Sequence, residues 1–282
     1  MTGSRIDQDV PFSGLFCPFP APDDPGRRLV RAVTTRHGPD FGAAAPDSPA
    51  HARLAGALAR AVGLTGAAWA VQVHGGDVLA VDEPGLAGRA DAMATDVPGL
   101  GLVGRSADCP QVLVTGPAVR GRGGLAWGMA HASWRSTVRG IVTRLMEVLV
   151  ERFGLDPAGA SAVVCPSAGP CCYEVGPEVR AAALAGLGPA ADRFFARRGG
   201  RLHLDLRAAA AARLVAAGVP RERIAVNGWC TICRPDLFFS HRAEGGRAGR
   251  FAAVVGALSG NPGRADDVGS PGTSAQPQEG TR

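Results

Sequence analysis

Apolar and polar positions change their period several times along the chain, and each change marks an element. "RLVRAVTTR" (28–36) alternates as a strand and runs into the polar loop "HGPDFGAAAPDSPA". "ARLAGALARAVGL" (52–64) has helical composition and spacing, and "AAWAVQVHG" (67–75) alternates again until Gly75-Gly76. "GLGLVGRSADCPQVLVTG" (99–116) reads as strand, turn and strand. Leu125 to Ala130 suit a buried strand. From Trp134 the apolar positions Trp134, Val138, Ile141, Leu145, Val148 and Leu149 share one helical face, so a long helix is expected to about Phe153.

Farther on, "SAVVCPSAGPCCYEVGPEVRAAALAGL" begins as a strand, crosses a Gly/Pro loop and becomes a helix near Pro177. "RLHLDLRAAAAARLVAAGV" couples a short strand to an Ala-rich helix. "RIAVNGWCT" and "DLFFSHR" read as late strand and loop pieces, and "GRFAAVVGAL" (249–258) as a last strand. No repeat of fixed period is present. The pattern predicts one mixed α/β domain over residues 28–258. A loose Pro/Gly/Asp-rich segment, 1–27, precedes it. A disordered tail, 259–282, with almost no apolar residues, follows it.

Composition narrows the function classes. The 282 residues are 46% hydrophobic and 20% charged, the profile of a soluble globular protein. All 30 basic residues are Arg, spread along the chain, so the net charge of +5 reads as codon bias and not as a nucleic-acid surface. The most apolar long window, 52–73, is interrupted by Arg53 and Arg60 and is no membrane span, and the N-terminus has no apolar signal core. Seven cysteines without regular spacing point to a reduced, cytoplasmic protein. A monomer is the expected state.

Three donors stand where strands end: His74 in "QVHGG", Cys109 in "SADCPQ" and His131 in "MAHAS". Taken on its own segment, His131 reads as a histidine that caps or packs locally. Taken together, two imidazoles and a thiolate suit Zn²⁺, and three protein ligands leave a fourth position open, as in catalytic sites. Their spacings, 35 and 22 residues, match no zinc-finger pattern. Cys230 and Cys233 form a lone CxxC and are read as buried thiols. The adjacent Cys171 and Cys172 are read as loop packing, since neighbours make a strained bridge. His51 is expected to face solvent, and His203, between Leu202 and Leu204, to lie on the exposed face of a strand.

"VQVHG", "ADCPQVLV", "HASWR…GI", "GPCCYEVG" and "CT…PDLFFSHR…GR" occur in that order between about Thr34 and Arg250. In these segments the chain resembles the laccase-domain family, also called the multicopper polyphenol oxidase or peptidoglycan editing factor family. The resemblance implies a single α/β domain with mixed β-sheets in an α/β/β/α layered arrangement. It also implies a metal held by His74, Cys109 and His131, which are then the catalytic residues too. Family members known as purine nucleoside enzymes imply phosphorolysis of adenosine, inosine, guanosine and 5′-methylthioadenosine, and deamination of adenosine. The implied partners are purine nucleosides and phosphate, with Zn²⁺ as cofactor and Cu²⁺ able to compete in vitro. By the same analogy Arg36 is the phosphate candidate, Arg135 a weaker one, and Tyr173 and His241 face the substrate.

The chain departs from the family pattern at Ser133 and Ser136, where glycines are usual, and at Ala243, where "SHRR" is usual. Other classes stay open at this point. The older family name implies a copper oxidase of phenols, for which six histidines are few. Cys109 with a histidine base would make a cysteine hydrolase acting on cell-wall precursors. A metal-binding partner protein without catalysis is the remaining class.

Overall fold

The computed structural model describes residues 28–259. The chain runs through β1 (Leu29–Val33), α1 (Pro49–Ala61), β2 (Gly66–Val71), β3 (Val78–Ala80), β4 (Gly85–Arg89) and β5 (Ala92–Thr95). It continues through β6 (Leu100–Ser106), β7 (Gln111–Pro117), β8 (Leu125–His131), α2 (Trp134–Val138), α3 (Ile141–Phe153) and β9 (Ser161–Val164). The last elements are α4 (Pro177–Leu187), β10 (Phe195–Arg198), β11 (Arg201–Leu204), α5 (Leu206–Ala216), β12 (Ile224–Val226) and β13 (Phe251–Ala257). The segments expected to be loose or disordered, 1–27 and 260–282, lie outside the described residues.

Two mixed sheets stack face to face. One has the order β1-β13-β6-β2-β4, the other β12-β9-β7-β8-β5-β3, and a small hairpin pairs β10 with β11. Val33, Ala68, Leu102 and Val255 of the first sheet meet Met93, Leu113, Trp127, Met129 and Val163 of the second in a core between the sheets. The Trp127 indole also donates to the Leu100 carbonyl at 3.1 Å, fixing one sheet against the other. The outer face of the first sheet packs on α1 through Leu58, Trp69, Val103 and Val254. That of the second packs on α3 and α5 through Val112, Val114, Leu145, Leu149 and Leu214. The layers are therefore α/β/β/α, as the resemblance implied.

Local chemistry accounts for the helix ends. Ser48 caps α1 by accepting from the His51 N–H, with Pro49 in the first turn. Asp205 caps α5 through the N–H groups of Arg207 and Ala208. The single helix expected from Trp134 to Phe153 is broken. Gly140 has φ 76°, a left-handed conformation that ends α2 and lets α3 start on a new axis. Strand, turn and strand over 99–116 is present, but it is no hairpin, because β6 and β7 belong to different sheets. That crossing carries Cys109 from one sheet to the other.

Two histidine expectations are overturned. His51 is buried, its ring 6.0 Å from Phe41 and 5.5 Å from Trp69. Burial, aided by the Arg105 charge, lowers its pKa to about 4. His203 is buried as well, because β11 pairs with β10 on one side and bridges Glu174 on the other. Among the described residues no helix is long and apolar enough to cross a membrane.

Candidate metal centre and cavity

His74, Cys109 and His131 come together. Their ligand atoms all lie within 4.8 Å of one another, and the two imidazole rings meet nearly edge to face at 5.1 Å. His74 follows β2 of one sheet, His131 ends β8 of the other, and Cys109 sits on the crossing between them. Two strand ends and one crossover thus bring three donors together. His74 (φ 57°) and Asp108 (φ 99°) are the two non-glycine residues with positive φ among those described. Backbone strain of this kind persists only where the surroundings over-determine it.

Asp91, unmarked in the sequence reading, supplies much of that determination. Its Oδ1 lies 2.8 Å from His131 Nδ1, and its Oδ2 accepts from the N–H groups of Val73 (3.0 Å) and Gly75 (2.6 Å). Its carbonyl accepts from the His131 N–H at 2.7 Å. One carboxylate therefore fixes the His131 ring with Nε2 left for the metal, and it also holds the turn that carries His74. Arg139 donates to the His74 carbonyl. Carboxylates behind ligating histidines are worth about 10–100-fold in metal affinity. Asp91→Asn is expected to weaken Zn²⁺ binding by about that factor with little change in the circular dichroism spectrum. Competition titration against a chromogenic chelator reads this directly, and an unchanged affinity would remove Asp91 from the site.

Without a metal, the donors share their protons. Burial pushes the Cys109 thiol up, but the His131 charge and hydrogen bonds from His131 and His74 outweigh it and bring it to about 7. Burial pushes His131 down, yet the Cys109 charge and Asp91 outweigh it and raise it to about 9. Asp91 is held low, burial being overcome by its bonds from His131, Gly75 and Val73. A metal needs thiolate and neutral imidazole, so it must displace the proton on His131 between about pH 7 and 9, and a second from Cys109 below about 7. Zinc affinity of the metal-free protein is expected to rise about tenfold per pH unit in the first range and more steeply below it. A flat profile across both ranges in calorimetry would place the metal elsewhere.

A cavity of about 250 Å³ opens on the triad, lined by Gln72, His74, Arg105, Ser106, Ala107, Cys109, His131, His241 and Arg250. Arg105 and Arg250 are the arginines of this cavity, and the sequence marked neither as a candidate site residue. Burial and the Arg250 charge lower the Arg105 pKa, with Asp40 opposing, so the two guanidiniums repel each other across the site. The Asp40 carboxylate accepts from the Arg250 N–H at 2.7 Å and the Gly42 N–H at 2.6 Å. Arg105 is positioned by carbonyl contacts to Phe41 and Ala44, while Gln72 exchanges two 3.0 Å hydrogen bonds with its backbone. Two adjacent cations beside a soft-donor triad suit an anionic substrate.

Of the four substrate-facing candidates, His241 alone lines this cavity. Tyr173 and Arg135 line a neighbouring one of about 330 Å³ together with Glu174, Glu178 and Arg242. Arg36 lines neither. Its guanidinium donates to the Pro235 carbonyl at 2.6 Å and pairs with Glu244 at 3.7 Å, and Glu244 in turn accepts from the Ser240 N–H. Arg36 thus braces the turn that presents His241. Ser133 and Ser136, where glycines were usual, are buried and hydrogen-bonded to each other at 2.7 Å, and Ser133 caps α2.

Known proteins resemble this chain. A family model of multi-copper polyphenol oxidoreductase laccases matches residues 37–258. A protein named purine nucleoside phosphorylase YlmD, from Geobacillus stearothermophilus, is 35% identical over 196 residues, 66% of this chain and 70% of that protein. Purine nucleoside phosphorylase YfiH of Escherichia coli is 35% identical over 188 residues, 66% of this chain and 72% of its own. The crystal structure of YlmD from Geobacillus stearothermophilus superposes with a TM-score of 0.72 at 29% identity, covering 85% of this chain and 94% of that one.

Proposed function

The chain belongs to the multi-copper polyphenol oxidoreductase laccase family, and from that premise we propose that it is a zinc-dependent purine nucleoside phosphorylase. Adenosine, inosine, guanosine and 5′-methylthioadenosine are its substrates in this reading, and adenosine is also deaminated. The observation that carries it is the pairing, in one cavity, of the His74, Cys109, His131 triad with Arg105 and Arg250. Relatives named purine nucleoside phosphorylase support the same chemistry.

Two nitrogens and a thiolate converging within 4.8 Å fit zinc, with His74, Cys109 and His131 as its protein ligands. When bound there, zinc supplies Lewis acidity and a lowered pKa for water, which is what deamination at adenine C6 requires. In phosphorolysis, Arg105 and Arg250 hold the phosphate dianion and aim an oxygen at C1′ of the nucleoside. The new C1′–O bond forms as the C1′–N9 bond breaks, and the electron pair leaves on the purine. His241, on the same cavity wall, can deliver the proton that the purine then takes. Tyr173, Arg135 and Arg242 bound the space next door, where the rest of the nucleoside would extend.

Polyphenol oxidation by several coppers needs many histidines in one place. Among the described residues only His74 and His131 share a metal-sized cluster, while His51 and His203 are buried elsewhere. A second reading rests on Cys109 at about pKa 7 beside a charged His131, the pair of a cysteine nucleophile. Incubation of the four nucleosides with and without phosphate separates these readings. Base release that depends on phosphate supports phosphorolysis; base release indifferent to phosphate, or none, contradicts it.

A further inference from the structure

A second cluster of soft donors lies outside the cavity. Cys171 and Cys172 of one loop meet Cys230 and Cys233 of another, and all four sulfurs fall within 4.8 Å of one another. The lone CxxC of the sequence therefore has its partners, supplied by the adjacent pair some sixty residues earlier. We propose that Cys171, Cys172, Cys230 and Cys233 bind a structural zinc ion as a tetrathiolate clasp joining two loops beside the active site.

The geometry favours one ion over the alternatives. A tetrahedral zinc about 2.3 Å from each sulfur sets the sulfurs roughly 3.8 Å apart. Cys171 Sγ lies 3.7 Å from Cys233 Sγ, and Cys172 Sγ lies 3.3 Å from it. An iron–sulfur cluster places sulfides between its metals and spreads its cysteines farther than this set allows. A disulfide would use Cys233 with one of its two neighbours and leave the remaining sulfurs converging on nothing. Cys230 accepts the Gly169 N–H at 3.2 Å, and the N–H groups of Cys233 and Ile232 also bond its sulfur. Such donors stabilise a thiolate and orient it toward a cation. Four thiolates this close repel strongly unless a cation sits among them, so metal entry would displace the thiol protons to solvent.

The clasp also has a structural task. Residues 165–176 and 227–250 connect regular elements without any strand or helix of their own, and the second segment is long for an unsupported connection. The loops touch through a short bridge at Ser167 and Cys230. Both are tied to Asp108, whose carboxylate accepts from Thr231 Oγ1 and the Arg242 N–H, each at 2.7 Å, while its carbonyl accepts from the Ala168 N–H. Asp108 directly precedes Cys109. Tyr173 follows the first cysteine pair, and His241 follows the second within the same loop. A zinc here would fix the separation of those two side chains across the site. Cys171 and Cys233 are exposed, so the ion is reachable by chelators.

The full chain, made with zinc supplied and purified without chelator under reducing conditions, is the sample for the test. His74→Ala/His131→Ala empties the catalytic triad and is expected to retain about one zinc per chain, with an all-sulfur shell in X-ray absorption. Adding Cys233→Ser, an exposed change, is expected to remove that zinc and lower the melting temperature. Should this variant fail to fold, chelator treatment of the double-histidine variant reads the same quantity by releasing zinc and exposing four titratable thiols. A double-histidine variant that holds no zinc, or a disulfide found among these cysteines by peptide mapping, overturns the clasp. Zinc found only in a mixed nitrogen–sulfur shell of the unaltered protein overturns the clasp and leaves the triad standing. Zinc found only in an all-sulfur shell does the reverse.

Discussion

Replacing Cys109 by alanine is expected to empty the triad of zinc and to lower kcat/KM for inosine by at least about a thousandfold. In the proposed site the thiolate is one of three protein ligands, and its loss would leave two histidines that neither neutralise the ion nor close its geometry. His131→Ala should do the same, because it removes a ligand and also leaves Asp91 a buried carboxylate without its main partner. The losses should move together, the triad's zinc and turnover in one step, while about one zinc per chain, that of the four-cysteine cluster, is retained. A nucleophilic Cys109 predicts another pattern. Its alanine variant would keep whatever metal the native protein carries, and brief iodoacetamide would inactivate the native enzyme at that thiol without any chelator. With zinc on the sulfur, alkylation is instead slow until the metal is stripped.

The second large effect concerns phosphate. Arg250→Ala and Arg105→Ala are each expected to raise the KM for phosphate by about 10–100-fold, the worth of a charge-assisted hydrogen bond to a dianion. Deamination of adenosine needs no phosphate, so its rate should change much less in the same variants, and zinc content should not change. Arg135→Ala and Arg36→Ala serve as comparisons. Arg135 lies in the neighbouring cavity stacked on Trp134, and Arg36 is engaged with Pro235 and Glu244. If Arg135→Ala raises the phosphate KM and the other two do not, the anion is bound next door, and the cavity on the triad has been given the wrong cargo.

Much of this site could be read from the chain because its donors stand at strand ends. His74, Cys109 and His131 each follow an apolar alternating run, and in stacked sheets such ends converge on one edge. Asp91 gave no such signal. Its contacts reach back to Val73 and Gly75 and forward to His131, and strand pairing at that distance is set by topology that no local period reveals. The strands β3, β4 and β5 were equally silent, being three to five residues long (VLA, GLAGR and AMAT) and set among turn residues. The helical face from Trp134 to Leu149 was continuous in pattern and broken in fact, because periodicity does not register the left-handed Gly140. The cysteine pairs differ: each was read within its own loop, where packing is the ordinary role, and contacts between the two loops, remote in sequence, bring them together. Arg36 reads as an anion ligand for its place after a strand, and Glu244, remote in sequence, lies 3.7 Å from its guanidinium, a contact that no local pattern announces.

Following inosine and phosphate by ³¹P NMR with the zinc-loaded protein tests phosphorolysis most directly. A sugar 1-phosphate resonance that grows in step with hypoxanthine, while inorganic phosphate declines equally, is the expected result. Hypoxanthine appearing beside free ribose with the phosphate signal unchanged would contradict it, since the cavity would then be cleaving nucleosides with water and Arg105 and Arg250 would have no anion to hold.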